Sequence, residues 1–168
     1  LLETIRISGL RPSDRTYNTL MQGWIESRNM DRAMDLFKQM KRNREVRPTI
    51  VTYTLLISGW ARSMKQMDKA EKVMRDLMND RYVSPDTRSF DALINGYRCL
   101  FSEDRNRRVE RMYFWLCKMR DLRLEPTHHT AKHFNKMDLS FPVVDGAFWT
   151  TDFGMPFDPR RHGRRSNR

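Results

Sequence analysis

Prolines at Pro12, Pro48, Pro85 and Pro126 recur at spacings of 36, 37 and 41 residues, and the residues behind them recur in step. Five residues after the first three come aromatics: Tyr17, Tyr53 and Phe90. Three residues further on stand the apolar pairs Leu20-Met21, Leu56-Ile57 and Leu93-Ile94. Gly23, Gly59 and Gly96 keep a constant offset, each trailed by an aromatic: Trp24, Trp60 and Tyr97. The second half of each unit brings Asp31-x-Ala33 and Asp68-x-Ala70, then Met40, Met78 and Met119. A period of this length dictates a repeat architecture, because one unit is too short to bury its own apolar faces and must stack on a neighbour.

Each unit reads as two helices. In the first, Tyr17, Leu20, Met21, Trp24 and Ile25 share one face at three/four spacing. Arg28-Asn29 interrupts the pattern, and Ala33, Met34, Leu36, Phe37 and Met40 supply the face of the second. The next unit repeats this with Tyr53, Leu56, Ile57 and Trp60, then Ala70, Val73, Met74, Leu77 and Met78. The prolines cannot continue a helix, and Thr49, Asp86 and Thr127 beside them can cap the next one. The fold class expected is all-α, an α-solenoid of stacked helical hairpins with an extended C-terminal arm.

Residues 1–13 read as the end of a preceding repeat, so that the chain is expected to be part of something longer. Repeats occupy 14–49, 50–86 and 87–127, the last with a longer insert between its helices at Cys99–Arg108. Residues 128–137 read as a degenerate terminal helix, and 138–168 as an extended aromatic and Arg-rich arm. Trp60 is expected to be buried between adjacent hairpins.

The charge says what kind of partner such a scaffold meets. The 168 residues carry 32 Lys+Arg against 21 Asp+Glu, a net charge of +11 and a pI near 10.2. The excess is mild along the repeats and concentrated at the end, where Arg160, Arg161, Arg164, Arg165 and Arg168 stand without an intervening acid. Arg105, Arg107, Arg108 and Arg111 form the densest internal basic patch. Both groups are phosphate candidates, since a polyanion is the natural partner of a basic chain. Mean hydropathy is −0.78, and apolar runs such as Leu55-Leu56-Ile57 are too short to span a bilayer. Two cysteines, Cys99 and Cys117, make no disulfide framework.

The repeat has a specific look. Pro-Ser-Asp-Arg-Thr-Tyr-Asn-Thr-Leu-Met-x-Gly at 12–23, Pro-Thr-Ile-Val-Thr-Tyr-Thr-Leu-Leu-Ile-x-Gly at 48–59 and Pro-Asp-Thr-Arg-Ser-Phe-Asp-Ala-Leu-Ile-Asn-Gly at 85–96 resemble pentatricopeptide repeats. Tetratricopeptide repeats place their Trp before a Leu-Gly pair, whereas here Gly precedes the aromatic. The resemblance covers 14–127. It implies a row of first helices whose repeats each meet one base of single-stranded RNA.

On that resemblance the base-reading pairs are Asn18 with Thr49, Thr54 with Asp86, and Asp91 with Thr127. Thr54 with Asp86 resembles a guanine-preferring pair, and Asn18 a pyrimidine-preferring position. The base-clamp positions are Arg15, Val51 and Arg88, and Arg62 matches the family's phosphate cation where Glu26 and Cys99 stand in the other repeats. The resemblance implies an organelle RNA-binding protein, mitochondrial rather than plastid. The expectation is an RNA-binding scaffold subunit of a large ribonucleoprotein such as a mitochondrial ribosome, touching rRNA by charge and shape and other proteins through the arm. The alternative is a freestanding sequence-specific factor acting on an organelle transcript in processing, stability or translation. No membrane span, cofactor or enzymatic activity is expected. His129 and His133 lie four apart, but Thr130-Ala131-Lys132 between them supplies no Glu, and no metal site is expected.

Overall fold

The computed structural model describes residues 11–43, 45–100 and 104–137. Residues 1–10 of the segment 1–13 expected to end a preceding repeat, and residues 138–168 of the expected arm, with Arg160, Arg161, Arg164, Arg165 and Arg168, lie outside the described residues. The described residues are all-helical, as the repeat pattern requires: α1 (Asp14–Glu26), α2 (Met30–Arg42), α3 (Ile50–Ser58), α4 (Met67–Met78), α5 (Thr87–Cys99), α6 (Arg105–Asp121) and α7 (His128–Asn135). None of these helices is long and apolar enough to cross a membrane. The chain divides into two compact units, Leu1–Pro85 and Asp86–Arg168.

In the first unit α1 packs on α2 and α3 on α4, and α3 stacks back on both helices of the first hairpin. Tyr17, Met21 and Ile25 of α1 are buried, as are Ala33, Leu36, Phe37 and Met40 of α2. Tyr53, Leu56 and Ile57 continue the core into α3, where the edge of one ring meets the face of the other between Phe37 and Tyr53, centroids 5.2 Å apart. Leu20, Met34 and Met78 are only half-buried.

The aromatics at one repeat offset part ways. Trp60 is buried at 5% exposure with the Lys69 ammonium over its ring, while Trp24 is 39% exposed. Gly59, beside Trp60, sits close against the first hairpin: a Cβ there would lie 3.1 Å from Ile25 and from the Met30 sulfur. Gly23 has open space around it.

The second repeat is one residue longer than the first, and the structure places the extra residue. Nine positions separate Gly59 from Asp68, against eight between Gly23 and Asp31. The surplus is absorbed as a π-turn over Gly59–Ser63 at the end of α3, closed by the Met64 N–H donating to the Gly59 carbonyl at 3.1 Å. A π-turn takes one more residue per turn than an α-turn, so the register on either side is kept.

Three helices end on basic residues in left-handed backbone: Arg28 (φ 58°), Lys65 (φ 54°) and Arg123 (φ 56°). At Arg28 the next N–H, from Asn29, returns to the Trp24 carbonyl at 2.7 Å while Arg28 N–H bonds Ile25. Leu124 N–H to Met119 and Arg123 N–H to Arg120 repeat this Schellman closure after α6. Glycine is the usual occupant of that position; these three residues keep a charged side chain there at a conformational cost.

In the second unit α5 packs on α6, and α7 packs on α5. Phe90, Leu93, Ile94 and Tyr97 face Val109, Met112, Tyr113, Trp115, Leu116 and Met119 in one core, with Phe90 and Trp115 ring centroids 6.3 Å apart. Phe134 of α7 closes it against Tyr113 at 5.1 Å. The insert expected at Cys99–Arg108 is shorter than the sequence suggests. Asp104 caps α6 by accepting from Asn106 N–H at 3.2 Å, and the helix runs for 17 residues against 13 in α2 and 12 in α4. Much of the extra length is therefore helix, because the Arg105–Arg111 stretch is a good helix former once capped.

Candidate nucleic-acid interface

Every first helix opens with one local device. Ser13, Thr49, Asp86 and Thr127 hold extended backbone just before α1, α3, α5 and α7. The residue three further on (Thr16, Thr52, Ser89 or Thr130) accepts the N–H of the cap on its hydroxyl, at 3.2, 3.1, 3.3 and 2.9 Å. This is a capping box with a hydroxyl where Glu or Gln is usual. A hydroxyl that accepts in this way keeps its own proton to give elsewhere.

Such hydroxyls serve two of the three expected reading pairs, whereas Ser89 donates to the carbonyl of its own cap, Asp86, at 2.7 Å. In the first unit Thr52 donates to Asn18 Oδ1 at 2.8 Å, so Asn18 on α1 and Thr49 at the head of α3 converge on one buried hydroxyl. The bond consumes the carbonyl end of the amide and leaves its Nδ2 as the donor that Asn18 can offer. In the second unit the pair meets directly: Thr127 Oγ1 donates to Asp91 Oδ2 at 3.3 Å, and Thr130 bonds the same carboxylate. Burial pushes the Asp91 carboxyl up, against the pull of those two bonds and of His129. Its Oδ1 is buried without a hydrogen-bond partner. Thr54 is half-buried on α3; Asp86 accepts Ser89 N–H at 2.9 Å as the cap of α5.

The clamp candidates share a register. Arg15, Val51 and Arg88 are each the second residue of α1, α3 and α5, and each is exposed, Val51 at 58%. Arg62 projects from the π-turn and is exposed. It lines a cavity of about 390 Å³ with Arg28, Lys65 and Glu26, whose carboxylate is held by Gln22 at 2.6 Å. Sequence reasoning does not single out Arg28 and Lys65; the available signal is a basic residue in both turns between paired helices of the first unit.

The Arg105–Arg111 patch is split by helical periodicity. Arg105 and Arg107 are exposed, Arg105 donating to the Met137 carbonyl at 2.7 Å. Arg108 is 9% exposed, with a buried Nε that lacks a hydrogen-bond partner, because it shares the stripe of Met112 and Trp115. Arg111 stacks on Phe114 at 4.6 Å. Among the described residues no group of three His, Cys, Asp or Glu could hold a metal. The His133 imidazole is half-buried and held down to about 4, by desolvation first and then by Arg98, His129, Lys136 and Lys132.

Comparison with known proteins bears on the same hairpins. The PPR repeat family model matches residues 12–62 and 48–99. A chloroplastic pentatricopeptide repeat-containing protein of Arabidopsis thaliana is 34% identical over 113 residues, 67% of this chain and 14% of that protein. The chloroplastic protein PPR5 of Zea mays is 33% identical over 91 residues, 51% of this chain and 17% of that protein. The fold is similar to that of PPR10 solved in complex with an 18-nt psaJ RNA element, with a TM-score of 0.67 at 23% identity over 79% of this chain and 18% of that one. The chain thus spans under a fifth of the length of each of these relatives. With its capped helical hairpins built on that repeat and the family model covering more than half of it, the chain belongs to the pentatricopeptide repeat (PPR) family.

Proposed function

We propose that the chain binds single-stranded RNA along its first helices and reads it base by base, as part of a freestanding organelle factor for RNA processing, stability or translation. The observation that carries this is the convergence of Asn18 with Thr49 through Thr52, and of Asp91 with Thr127. Twice, a first-helix polar side chain meets the last residue of its own repeat, which is the juxtaposition one base per repeat requires. Arg15, Val51 and Arg88, exposed at one register, supply surfaces on which a base plane can rest. The relatives are repeat proteins named for the chloroplast, and PPR10 was solved with an RNA element. They weigh for a plastid factor. The expected ribosomal scaffold in mitochondria draws no support from them. The site is one of binding, with no enzymatic role.

Selection from a random RNA pool tests it. The wild-type chain should enrich a pyrimidine at the position opposite Asn18, and Asn18→Ala should lose that preference while other positions keep theirs. A good base-edge contact discriminates by about 1–3 kcal/mol, the magnitude known for such pairs on DNA. Identical featureless profiles for both proteins would sink the reader and leave only charge-driven binding.

A further inference from the structure

One cavity of the first unit stands apart from the reading residues. It has a volume of about 630 Å³, within the range of small-ligand sites, and lies between the end of α2 with its following link and the end of α4 with its own. Lys41, Arg42, Arg47 and Arg81 supply four cations, Asp76 and Asp80 two acids, and Tyr82 the aromatic surface.

The acids are already spoken for. Asp76 has the Lys41 ammonium at 4.0 Å. Asp80 accepts the Tyr53 hydroxyl at 2.6 Å on one oxygen, and the N–H groups of Tyr82 and Val83 at 2.8 and 3.2 Å on the other. Those bonds fold the link after α4 and set the position of Tyr82. Although desolvation works the other way, they and Lys41 hold the Asp80 carboxyl below its ordinary value, so it stays ionised and bound. Arg42, Arg47 and Arg81 are exposed and have no carboxylate partner among the described residues.

Tyr82 is 72% exposed, and the Arg47 guanidinium lies on one face of its ring, 3.9 Å from the centroid. One face of an aromatic ring is therefore capped by a cation and the other is open. Asn43 gives its carbonyl to Glu45 N–H at 2.8 Å, which leaves its amide N–H groups for a ligand.

From this arrangement we infer that the cavity is a second RNA contact, which takes one nucleotide of a single strand outside the row of reading residues. The base stacks on the open face of Tyr82, and Arg42 and Arg81 hold its phosphates. An aromatic ring backed by a guanidinium beside unpaired arginines suits a flat base on a charged backbone, and every base has a face to stack. An acidic peptide would use the arginines and leave Tyr82 idle. The inference rests on the proposed RNA binding, and it adds affinity without sequence preference.

The test uses the full chain, fluorescein-labelled oligouridine and anisotropy over a range of salt. Tyr82→Ala should weaken binding about tenfold, and Tyr82→Phe should leave it unchanged. Arg42→Gln, Arg47→Gln and Arg81→Gln together should flatten the log–log salt slope by about 1.4, from the two phosphate contacts of Arg42 and Arg81 at roughly 0.7 each on single strands. Oligouridine carrying 4-thiouridine should crosslink to the peptide that contains Tyr82. All four side chains are exposed, so circular dichroism should show the variants folded. Wild-type binding that none of these variants alters, with no crosslink, overturns the inference and spares the proposed function. A wild-type chain that does not bind any single-stranded RNA overturns both. A polyglutamate probe that binds wild type and fails on the triple variant, with oligouridine binding unchanged, overturns the inference in favour of an acidic protein partner.

Discussion

Asp91 concentrates the tension between folding and recognition. It stands at a reading position, its Oδ2 is bonded by Thr127 and Thr130, and its Oδ1 is buried without a partner. A buried acceptor left unmet costs stability, and burial correspondingly raises the affinity of this carboxyl for a proton. As pH rises past 3.8 the unfolded chain gives up this proton before the folded one does, so folding loses stability through the window between the two values. Asp91→Asn removes the buried charge, keeps an oxygen for Thr127 and Thr130, and cannot titrate. It is expected to raise stability at neutral pH by about 1 kcal/mol. The gain should fade as pH drops through that window, which denaturant titrations at several pH values would measure. A gain independent of pH would assign it to something other than the carboxylate. The same change removes a negative charge that repels phosphate, so RNA affinity should rise as well.

Helices here are set by devices of a few residues, and some of those are visible in sequence. The Pro-flanked caps, the buried faces of α1 to α4 and the burial of Trp60 follow from spacing alone, since period and cap chemistry are local properties, although Trp24, on the same α1 spacing, is 39% exposed. The Thr52 link to Asn18 does not, because it joins residues 34 apart and depends on which way a cap hydroxyl sends its proton. Nor does the Tyr82 cavity, which needs two links brought side by side by stacking. The split of the Arg105–Arg111 patch was accessible: Arg108 stands four before Met112, on the buried stripe. Gly23 and Gly59 test the stack itself. Both occupy one repeat offset, yet a methyl at Gly23 meets nothing, while one at Gly59 presses on Ile25 and Met30 at 3.1 Å. Gly23→Ala should therefore stabilise by about 0.5–1 kcal/mol through helix propensity. Gly59→Ala should lose that gain to overpacking and come out destabilised by about 1 kcal/mol or more in thermal or urea unfolding. Trp60→Ala should cost on the order of 3–5 kcal/mol as a buried large-to-small change. A loss below about 1 kcal/mol would contradict the stacking of α3 on the first hairpin.

At the scale of the whole chain, the net charge of +11 divides among groups with different duties. Some cations are structural: Lys41 faces Asp76 and lies over Phe37, Lys69 covers Trp60, and Arg111 stacks on Phe114. Others stand exposed without such work, Arg62 beside Arg28 and Lys65, and Arg42 beside Arg81. The five arginines between 160 and 168 form a third group, read from the sequence alone. Salt dependence separates these groups, because each phosphate contact on a single strand contributes roughly 0.7 to the log–log slope whatever base it carries. If the C-terminal arginines are the main phosphate contacts, deleting 159–168 should flatten the slope by up to about 3.5. Base preference selected from a random pool should survive that deletion, since backbone contacts carry no sequence information. A preference lost together with the slope would mean that the tail, rather than the first helices, orders the RNA for reading. An unchanged slope would return the phosphate contacts to the repeats, and combining the deletion with Arg62→Gln, then with the Arg42, Arg47 and Arg81 changes, would apportion what remains.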